Sequence, residues 1–407
     1  MNPSPDSAPS ALVAVLGDLG RSPRMLNHAR QLLARGWSVT LAGLRETEIP
    51  ADLASNPRVR VLAADLTVEA GRKPRARARW QLLRLLATQR PDWHLVLVQN
   101  PPAFPVLGVL AVARWRLRRT PRATVIVDWH NFGYTLLRAQ GGRGRWSVAL
   151  YRWLEFAFAR SADAHWTVSS ALAAHVATAL GGVRVTVLRD APPAALCAAA
   201  HVTEERFAWW RRTLPEFPPP PPGAPWLVMP SSWTIDEYTH LITDALRLIA
   251  AGEVTWPKGR QVTLIATGRG AERAAFANTF RVQSCVALRQ AWLPASAYAE
   301  LLGHADAGLC LHASASGLDL PLKLADFKAA GLPSIVYDYG PVLRELFDPL
   351  IHGSLVHDAR ELACALAALA TQPPPRLTPP SETWETNWQA VEADITRWAK
   401  MARETSV

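Results

Sequence analysis

Short apolar runs alternate with segments of helical periodicity along the whole chain. In the first unit, Ala11 to Leu16 is an apolar run and Gly17 to Gly20 is a turn of small residues. Apolar side chains then recur at helical spacing from Met25 to Leu32, and a second apolar run begins at Trp37. A strand, a helix and a second strand within about 30 residues form the building unit of a parallel, doubly wound sheet.

The same alternation continues through both halves of the chain. Further apolar runs predict eight more strands, at Val59–Leu62, Leu95–Val98, Thr124–Val127, His165–Val168, Trp226–Met229, Val262–Ala266, Ala307–Leu311 and Ser334–Tyr337. The five prolines from Pro218 to Pro222 cannot occupy a helix or an inner strand, which indicates an exposed linker. We therefore predict an α/β fold of two Rossmann-like domains that face each other across a cleft.

The predicted boundaries follow from these segments. Residues 1–213 form the first domain, 214–225 the proline-rich linker and 226–383 the second domain. A helix over about 384–407 could pack back on the first domain. A length of 407 residues fits two domains of ordinary size.

Composition and charge exclude several classes of protein. With 49% hydrophobic and 19% charged residues, a disordered or fibrous chain is excluded. Residues 1–200 carry 26 Lys and Arg against 12 Asp and Glu, a net of +14, and the remainder carries 18 against 22, a net of −4. The first half is therefore expected to meet an anionic partner: nucleic acid, a membrane surface or a phosphate-bearing substrate.

Targeting signals and cysteines indicate a cytoplasmic protein. The four cysteines form no Cys-x-x-Cys pair, which argues against a disulfide framework or a zinc site and for a reducing compartment. Residues 1–10 do not have the pattern of a signal peptide, and no uncharged apolar run reaches the roughly 18 residues of a membrane-spanning helix. The abundance of Arg over Lys, with many Ala and Pro, indicates a GC-rich, bacterial genome. We expect a soluble or membrane-attached protein.

Ligands of parallel α/β sheets bind beyond the carboxyl ends of the strands, so the loops after the predicted strands are the candidate sites. The first loop combines small residues with cations and a helix N-terminus, which suits an acceptor phosphate: Gly17, Gly20, Arg21 and Arg24. A structural turn with solvated arginines explains this loop equally well. Asp18 in the same loop is a candidate base.

The loop after Thr124–Val127 gathers Asp128, His130 and Asn131. A carboxylate, an imidazole and an amide at one strand end can deprotonate, orient and hydrogen-bond a substrate. We predict that Asp128 and His130 are catalytic and that Asn131 contacts the acceptor. A structural histidine is the alternative.

The loops of the second half suit a nucleotide sugar. Hydroxyls, small residues, an arginine and a lysine follow successive strands, and a lysine near a diphosphate with a carboxylate near a ribose is a sensible arrangement. An N-cap followed by a solvated ion pair would explain the Lys–Asp spacing alone. The predicted donor-binding residues are Ser231, Ser232, Gly268, Arg269, Trp292, Ser316, Gly317, Leu318, Asp319, Lys323 and Asp326.

Two basic stretches, 72–79 and 114–122, lie beside apolar helices. Arg interleaved with Trp and Leu fits an anionic membrane surface, and Arg116, Arg118 and Arg119 are the predicted membrane patch. Nucleic acid has equally suitable electrostatics. The apolar neighbours favour the membrane, so we predict no nucleic-acid partner, and a solvated face remains as an alternative.

Six motifs in their order resemble the chitobiosyldiphosphodolichol β-mannosyltransferases. They are LGDLGRSPRM (16–25), QNPP (99–102), VIVDWHNFGYTL (125–136), SSWTIDE (231–237), TGRG (267–270) and SGLDLPLKLADF (316–327). The resemblance spans nearly the whole chain, and the first, third and sixth motifs are together highly specific.

The resemblance implies a GT-B fold and an inverting transfer of mannose from GDP-mannose. It implies as acceptor an N,N′-diacetylchitobiose on a lipid diphosphate, with a new β-1,4 bond, at the cytosolic face of a membrane. Eukaryotic members begin with a membrane-spanning helix, which this sequence is not expected to have. We therefore expect a bacterial, peripheral enzyme of the inner membrane whose carrier is a polyprenyl rather than a dolichyl diphosphate.

The resemblance also implies roles for residues. Related retaining enzymes have two glutamates eight positions apart where this chain has Leu318 and Asp326, and the missing first carboxylate favours inversion. Lys323 and Arg269 could stabilise the departing diphosphate without metal. The sequence contains no Asp-x-Asp motif, so a Mg²⁺ ion held by such a motif is not expected. We therefore expect no cofactor beyond the donor, although Mg²⁺ dependence stays open.

Two other functions stay open at this point. The first is a GT-B enzyme that uses another nucleotide sugar for a bacterial glycolipid or exopolysaccharide. The second is a non-catalytic subunit that binds a nucleotide sugar. The choice of base among Asp18, Asp128 and His130 is likewise open.

Overall fold

The computed structural model describes residues 8–65, 72–88, 93–116, 123–141, 144–192, 194–234, 237–280 and 285–405. The chain divides into two compact units. Unit 1 comprises Met1–Asp190 with Glu385–Val407, and unit 2 comprises Ala191–Trp384. Across the described residues, no helix is both long enough and apolar enough to cross a membrane.

The described residues of unit 1 form a seven-stranded parallel sheet in the order β3-β2-β1-β4-β5-β6-β7. Its strands are β1 (Ser10–Asp18), β2 (Ser38–Arg45), β3 (Val59–Asp65), β4 (Leu95–Asn100), β5 (Thr124–Trp129), β6 (Ala164–Thr167) and β7 (Thr186–Val187). Its first helices are α1 (Pro23–Ala34), α2 (Ala51–Ala54), α3 (Arg72–Thr88), α4 (Phe104–Arg116), α5 (Gly133–Ala139), α6 (Arg145–Ala159) and α7 (Ser170–Ala179), and a 3-10 turn covers Leu19–Arg21.

The register of this sheet brings the candidate loops of unit 1 to one edge. Val13 of β1 pairs with Leu97 of β4, and Gln99 of β4 pairs with Asp128 of β5. Since all the strands run in the same direction, the loops after β1, β4 and β5 leave the sheet together.

The described residues of unit 2 form a six-stranded parallel sheet in the order β10-β9-β8-β11-β12-β13. Its strands are β8 (Trp226–Pro230), β9 (Val262–Thr267), β10 (Val286–Ala291), β11 (Ala307–Cys310), β12 (Ser334–Tyr337) and β13 (Gly353–Val356). Its helices are α8 (Ala194–Ala199), α9 (Arg206–Thr213), α10 (His240–Ala250), α11 (Glu272–Thr279), α12 (Ala295–His304), α13 (Leu322–Ala329), α14 (Pro349–His352) and α15 (Ala359–Thr371), with a 3-10 turn at Pro341–Glu345.

Both faces of the unit 2 sheet are covered by apolar cores. Leu227 and Leu264 point into one buried cluster, whereas their neighbours Val228 and Ile265 point into the other. Successive side chains of a strand face opposite sides of the sheet, so strands buried on both faces read as continuous apolar runs. The predicted fold, two Rossmann-like α/β domains, is therefore confirmed.

Three of the described strands, β7, β10 and β13, were not predicted from the sequence. Each lies at the edge of its sheet. An edge strand has neighbours on one side only, and it does not need a continuous apolar run. In β10, for example, the four residues between Val286 and Ala291 are only half-buried.

The division between the units lies between Asp190 and Ala191, upstream of the proline-rich segment at which the sequence predicts it. Helix α9, which the prediction assigned to the first domain, packs in unit 2. Its Trp209 and Trp210 are fully buried, with ring centroids 6.2 Å and 5.0 Å from that of Trp226 in β8. These aromatic contacts, rather than the prolines, decide to which unit the segment belongs.

The chain ends with α16 (Trp384–Asn387) and α17 (Gln389–Thr405), and α17 lies in unit 1. Trp388, just before α17, is fully buried, and its indole Nε1 donates a hydrogen bond to Nδ1 of His28 in α1 at 3.0 Å. Arg35 lies over the Trp388 ring at 4.8 Å and pairs with Glu392. The C-terminal helix thus completes the fold of the first unit.

We expect Trp388→Ala to destabilise unit 1 by about 3–5 kcal/mol, because it leaves a large cavity beside His28. Trp388→Phe should cost about 1–3 kcal/mol, because the ring remains but the buried acceptor of His28 loses its donor. Urea unfolding followed by circular dichroism measures both. Met401→Ala, at a 54% exposed position of α17, is the control within the C-terminal segment. Equal midpoints for Trp388→Ala and Met401→Ala would contradict the assignment of α17 to this core.

Candidate functional site

Asp128, at the end of β5, is the centre of the polar cluster in unit 1. Its carboxylate is completely buried and accepts a bidentate hydrogen bond from Arg24 of α1, with Nε to Oδ2 and Nη2 to Oδ1 both at 2.7 Å. Burial alone would raise the pKa of Asp128, but Arg24 and two histidines hold that pKa well below its usual value. Asp128 is therefore an anion in the folded protein.

Arg24 has further partners beyond Asp128. Its Nη1 donates to the carbonyl oxygen of Leu188 at 2.9 Å and to Oδ1 of Asp190 at 2.8 Å. Burial opposes the charge, yet the two carboxylates raise the pKa of Arg24 above its usual value. Arg24 is 2% exposed and its donors are directed at the protein. Its predicted contact with a phosphate stays a prediction.

His28 is held in one neutral form by the groups on both sides of its ring. The Trp388 indole can only donate, so Nδ1 of His28 accepts and the protonated Nε2 donates to Oδ2 of Asp128 at 3.0 Å. Burial is the main cause that lowers the pKa of His28, and Asp128 only partly opposes it. His28 orients the Asp128 carboxylate without adding a charge.

His130 contacts the same carboxylate from the outer side. Its Nε2 lies 2.9 Å from Oδ2 of Asp128, and its side chain is 24% exposed. With Nε2 protonated, the ring donates to Asp128 and leaves the Nδ1 lone pair available. Among the described residues, the structure gives this Nδ1 no hydrogen-bond partner. The sequence predicts that Asp128 and His130 act together, and the structure brings them into contact.

Asp18, the other candidate base, is engaged by the loop after β2. Its carboxylate accepts hydrogen bonds from the backbone N–H of Glu46 at 3.2 Å, from the backbone N–H of Thr47 at 3.1 Å and from the Thr47 hydroxyl at 2.8 Å. Nε of Arg21 lies 3.9 Å away, and the Arg21 side chain is 47% exposed. Asp18 thus ties two loops together, and Arg21 is the exposed cation of the first loop.

The glycines of this loop differ in what they allow. A Cβ on Gly20 would lie 2.3 Å from Oγ1 of Thr47 and 2.5 Å from the carbonyl oxygen of Glu48, so only glycine fits beneath the second loop. A Cβ on Gly17 would meet Val15 at an ordinary 3.5 Å. The small residue at position 20 serves loop packing, whereas the sequence analysis expects it to serve an approaching ligand.

Asn131 lies two residues before helix α5 and makes local hydrogen bonds. Its Oδ1 accepts from the backbone N–H of Phe132 at 2.7 Å and from the Thr135 hydroxyl at 3.3 Å, and its carbonyl oxygen accepts from Nδ2 of Asn100 at 3.0 Å. These bonds fix the chain direction immediately after His130. The contact of Asn131 with an acceptor stays a prediction.

Glu155, a buried residue of α6, was not among the residues predicted from the sequence. It accepts from Nδ2 of Asn100 at 2.8 Å and from the backbone N–H of Gly133 at 2.7 Å, at the N-terminus of α5. Burial raises the pKa of Glu155, and the hydrogen bonds oppose this shift. A lone acid in an otherwise apolar and basic helix was the signal that could have indicated it.

In unit 2, the loops after β8 and β9 fit into each other. Gly268 has φ +107°, and a Cβ there would lie 1.9 Å from the carbonyl oxygen of Ser231. A Cβ on Gly270 would lie 2.1 Å from the carbonyl oxygen of Ser232. Ser231 accepts from the backbone N–H of the buried Trp233 at 3.0 Å, which steadies the unusual φ of +53° at Trp233. Two predicted donor loops are thereby one rigid structure.

Arg269 and Trp292, two of the predicted donor-binding residues, lie against each other. The guanidinium carbon of Arg269 is 4.4 Å from the centre of a Trp292 ring, and Trp292 is 46% exposed. A cation on an exposed aromatic face offers both charge and a flat stacking surface.

Lys323, in the first turn of α13, pairs with Glu237. Its Nζ lies 2.5 Å from Oε1 of Glu237, a buried residue that also accepts from the Ser232 hydroxyl at 3.3 Å. The pair joins α13 to the loop after β8. Glu237 was not among the residues predicted from the sequence, although it ends the motif SSWTIDE.

The loop before α13 is organised by its own hydroxyls. Asp319 accepts from the hydroxyls of Ser314 and Ser316, the latter at 3.2 Å. The Ser314 hydroxyl in turn accepts from the backbone N–H of Gly317 at 2.8 Å, and that of Ser316 from the N–H of Leu318 at 3.2 Å. This tight turn places Gly317 at φ +72°, a conformation that glycine adopts without steric cost.

Tyrosine hydroxyls donate hydrogen bonds to two acidic residues of this region, to the backbone of one and the carboxylate of the other. Tyr339 donates to the carbonyl oxygen of Asp319 at 2.7 Å, and Tyr298 donates to Oδ2 of Asp326 at 3.2 Å. Burial, reinforced by Asp326, raises the pKa of Tyr298 well above its usual value, so this hydroxyl stays a donor. Asp326 has a protein partner here, and its contact with a ribose stays a prediction.

The structure describes only part of the predicted membrane patch. Arg116 is the last residue of α4, and Arg118 and Arg119 lie outside the described residues. In the part of the chain that is described, no group of three or more His, Cys, Asp or Glu side chains is arranged to hold a metal ion.

Comparison with known proteins gives a consistent set of relatives. A glycosyl transferase 4-like domain matches residues 20–191. The chitobiosyldiphosphodolichol beta-mannosyltransferase of Eremothecium gossypii is 34% identical over 380 residues, which cover 88% of this chain and 78% of the relative. The Arabidopsis thaliana protein named UDP-glycosyltransferase TURAN is 32% identical, with 88% of each chain covered.

A solved structure shares the fold at low identity. Anabaena Alr3699/HepE in complex with UDP-glucose superposes with a TM-score of 0.60 at 16% identity, over 97% of this chain and 98% of that one. The likeness supports the GT-B arrangement of two Rossmann-like domains within a single chain.

The burial of His165 in unit 1 predicts how the free energy of unfolding changes with pH. Burial lowers the pKa of His165 to about 4, so between about pH 6.5 and 4 the unfolded chain binds a proton that the native state does not. The free energy of unfolding should therefore fall as the pH is lowered, by up to about 1.4 kcal/mol per pH unit from this group. Urea unfolding at several pH values measures the slope.

The His165→Gln variant should show a smaller slope, since glutamine keeps an acceptor for the Trp129 N–H without titrating. An unchanged slope in this variant would mean that native His165 takes up its proton in the ordinary range.

Proposed function

Because this chain belongs to the chitobiosyldiphosphodolichol beta-mannosyltransferase family, we propose that it transfers mannose from GDP-mannose to a lipid-diphosphate-linked, GlcNAc-type acceptor. The transfer inverts the anomeric centre and forms a β-1,4 bond. The chain is a glycosyltransferase, and the observation that carries the finer proposal is the pair formed by Asp128 and His130.

In this proposal His130 is the general base. Its exposed ring can reach a hydroxyl group, whereas the Asp128 carboxylate is fully buried and that of Asp18 accepts three hydrogen bonds from the next loop. Nδ1 takes the proton of the acceptor hydroxyl as that oxygen attacks the anomeric carbon. The bond from this carbon to the diphosphate breaks, GDP leaves with the electron pair, and Asp128 stabilises the imidazolium.

The donor belongs to unit 2 in the same proposal. Arg269 contacts the diphosphate, and the Trp292 face to which it is bound flanks the nucleotide base. Lys323 and the positive end of the α13 helix dipole add positive potential where the leaving group gains charge. The loop of Ser316 to Asp319 then faces the sugar. These groups supply the stabilisation for which other enzymes use a metal, so we propose that no cofactor is needed beyond the donor.

The carrier is a polyprenyl or dolichyl diphosphate, and the enzyme works at the cytoplasmic face of the membrane as a peripheral protein. The names of the relatives, chitobiosyldiphosphodolichol beta-mannosyltransferases, describe a dolichol-linked acceptor and support the lipid carrier in this proposal. The net charge of +14 in residues 1–200 supports an anionic membrane partner.

A second donor has specific support. One relative is named a UDP-glycosyltransferase, and the HepE structure holds UDP-glucose. The alternative is therefore a GT-B enzyme that uses another nucleotide sugar for a bacterial glycolipid. Thermal-shift titrations with GDP-, UDP- and ADP-sugars separate the two donors.

The product tests the reaction itself. With GDP-mannose and chitobiosyl-diphosphate lipid we expect a mannose in β linkage to O4, identified by the anomeric NMR signals, at the same rate with and without EDTA. An α anomer would refute the inverting mechanism. Transfer from a UDP-sugar alone would refute the donor, and loss of activity with EDTA would refute the metal-free account.

His130→Asn should reduce kcat/KM by about 10²–10⁴-fold, the usual contribution of a general base, while the affinity for GDP stays unchanged. Transfer of labelled mannose and calorimetric titration with GDP measure the two quantities. His201→Asn, at an exposed histidine of unit 2, is the matched control and should keep the parent rate. Full activity in the His130 variant, with a collapse in a folded Asp18→Asn variant, would transfer the role to Asp18.

A further inference from the structure

An apolar groove that the proposed chemistry does not use lies between α3, α4 and α6 of unit 1. It has a volume of about 570 Å³, and its lining includes Trp80, Leu83, Phe104, Val112, Leu154 and Phe158. Trp80 is 69% exposed and Val112 50% exposed, so the groove opens to solvent at large apolar side chains. Such a surface on a monomer usually marks a binding site.

Helix α6 carries apolar side chains from the groove out to its exposed end. Leu154 and Phe158 line the groove, and Leu150 and Trp146 continue the same row at steps of four residues. Trp146 is 89% exposed and Leu150 57% exposed, and Trp153, three residues after Leu150, is 64% exposed. Two tryptophans and a leucine on one open helix face are what an interfacial helix presents to lipid.

The charged residues of these three helices are basic, with one exception. Their sequences contain a single acidic residue, Glu155, which is buried and bonded to Asn100 and Gly133. Exposed arginines lie on the same helices, and they include Arg84 of α3 and Arg145 of α6. Exposed apolar side chains and exposed arginines on helices that present no exposed carboxylate are complementary to anionic head groups above acyl chains.

We propose that the surface formed by the groove and by Trp146, Leu150 and Trp153 docks unit 1 on an anionic bilayer. The tryptophans lie at the level of the head groups, the arginines contact the lipid phosphates, and the groove takes up acyl chains of the leaflet. The residues of this docking surface do not include the predicted patch residues Arg116, Arg118 and Arg119. Only the role of this docking, to bring the enzyme to a membrane-bound acceptor, rests on the proposed function.

Flotation of the full chain with vesicles tests the docking surface. We expect binding to vesicles of phosphatidylcholine with phosphatidylglycerol, weaker binding at high salt, and little binding to phosphatidylcholine alone. Replacement of Trp146, Leu150 and Trp153 by serine should lower the partition coefficient by about tenfold or more. The matched control is Leu350→Ser with Ile351→Ser, at positions 94% and 60% exposed in α14 of unit 2.

Three results would overturn the docking surface. One is a parent protein that does not float with anionic vesicles, and another is a triple variant that floats as well as the parent. The third is a parent dimer, seen by light scattering, that the triple variant abolishes without any vesicle binding, because the surface would then contact a second copy of the chain.

The acceptor distinguishes this proposal from the proposed function. The triple variant should use a short-chain, water-soluble acceptor at the parent rate and an acceptor embedded in anionic vesicles about tenfold more slowly. If the parent floats but transfers mannose to neither acceptor, the proposed reaction fails and the docking surface stands. If it transfers mannose to the vesicle acceptor without floating, the reaction stands and the docking surface fails.

Discussion

The buried ion pair between Arg24 and Asp128 is the interaction on which unit 1 depends. Two charges removed from water are tolerated only when geometry and further hydrogen bonds offset their desolvation, and the bidentate contact with the added bonds from Leu188, Asp190 and His28 does so. These partners come from α1, β5, the segment after β7 and, through Trp388, the C-terminal region. An Arg24 left without Asp128 would cost about 3–5 kcal/mol. The fold and the candidate chemistry therefore share one carboxylate.

Two histidines contact this carboxylate, and their surroundings give them different capacities. His28 is enclosed, and its second nitrogen accepts the Trp388 N–H, so the ring is locked in one tautomer and its pKa is lowered by burial. His130 is partly exposed, and within the described parts of the chain its second nitrogen is unpaired. The same residue type is a support in one place and a candidate base in the other, because access to solvent and to a hydrogen-bond donor differ.

Periodicity predicted the inner strands and the loops after them, since both depend on local sequence alone. It could not pair Arg24 with Asp128, which are 104 residues apart, or show that Asp18 is taken up by the loop at Thr47. The boundary between the two compact units lies upstream of the five prolines for a related reason. Five prolines exclude a helix or an inner strand, but the unit to which a segment belongs is decided by long-range burial, here that of Trp209 and Trp210 against Trp226.

The uneven charge of the chain acquires a structural explanation from the same contacts. Arg24, Arg30 and Arg35 are paired with carboxylates, so they add little to the external field of unit 1. Helices α3 and α6 together carry eight Lys and Arg, and their sequences hold no acid but the buried Glu155. Their net charge of +7 is half of the +14 in residues 1–200, and Trp80, Trp146 and Trp153 of the same helices are exposed. A positive field at that position attracts a charged surface, and it leaves the pKa values of the buried cluster to be decided by direct contacts.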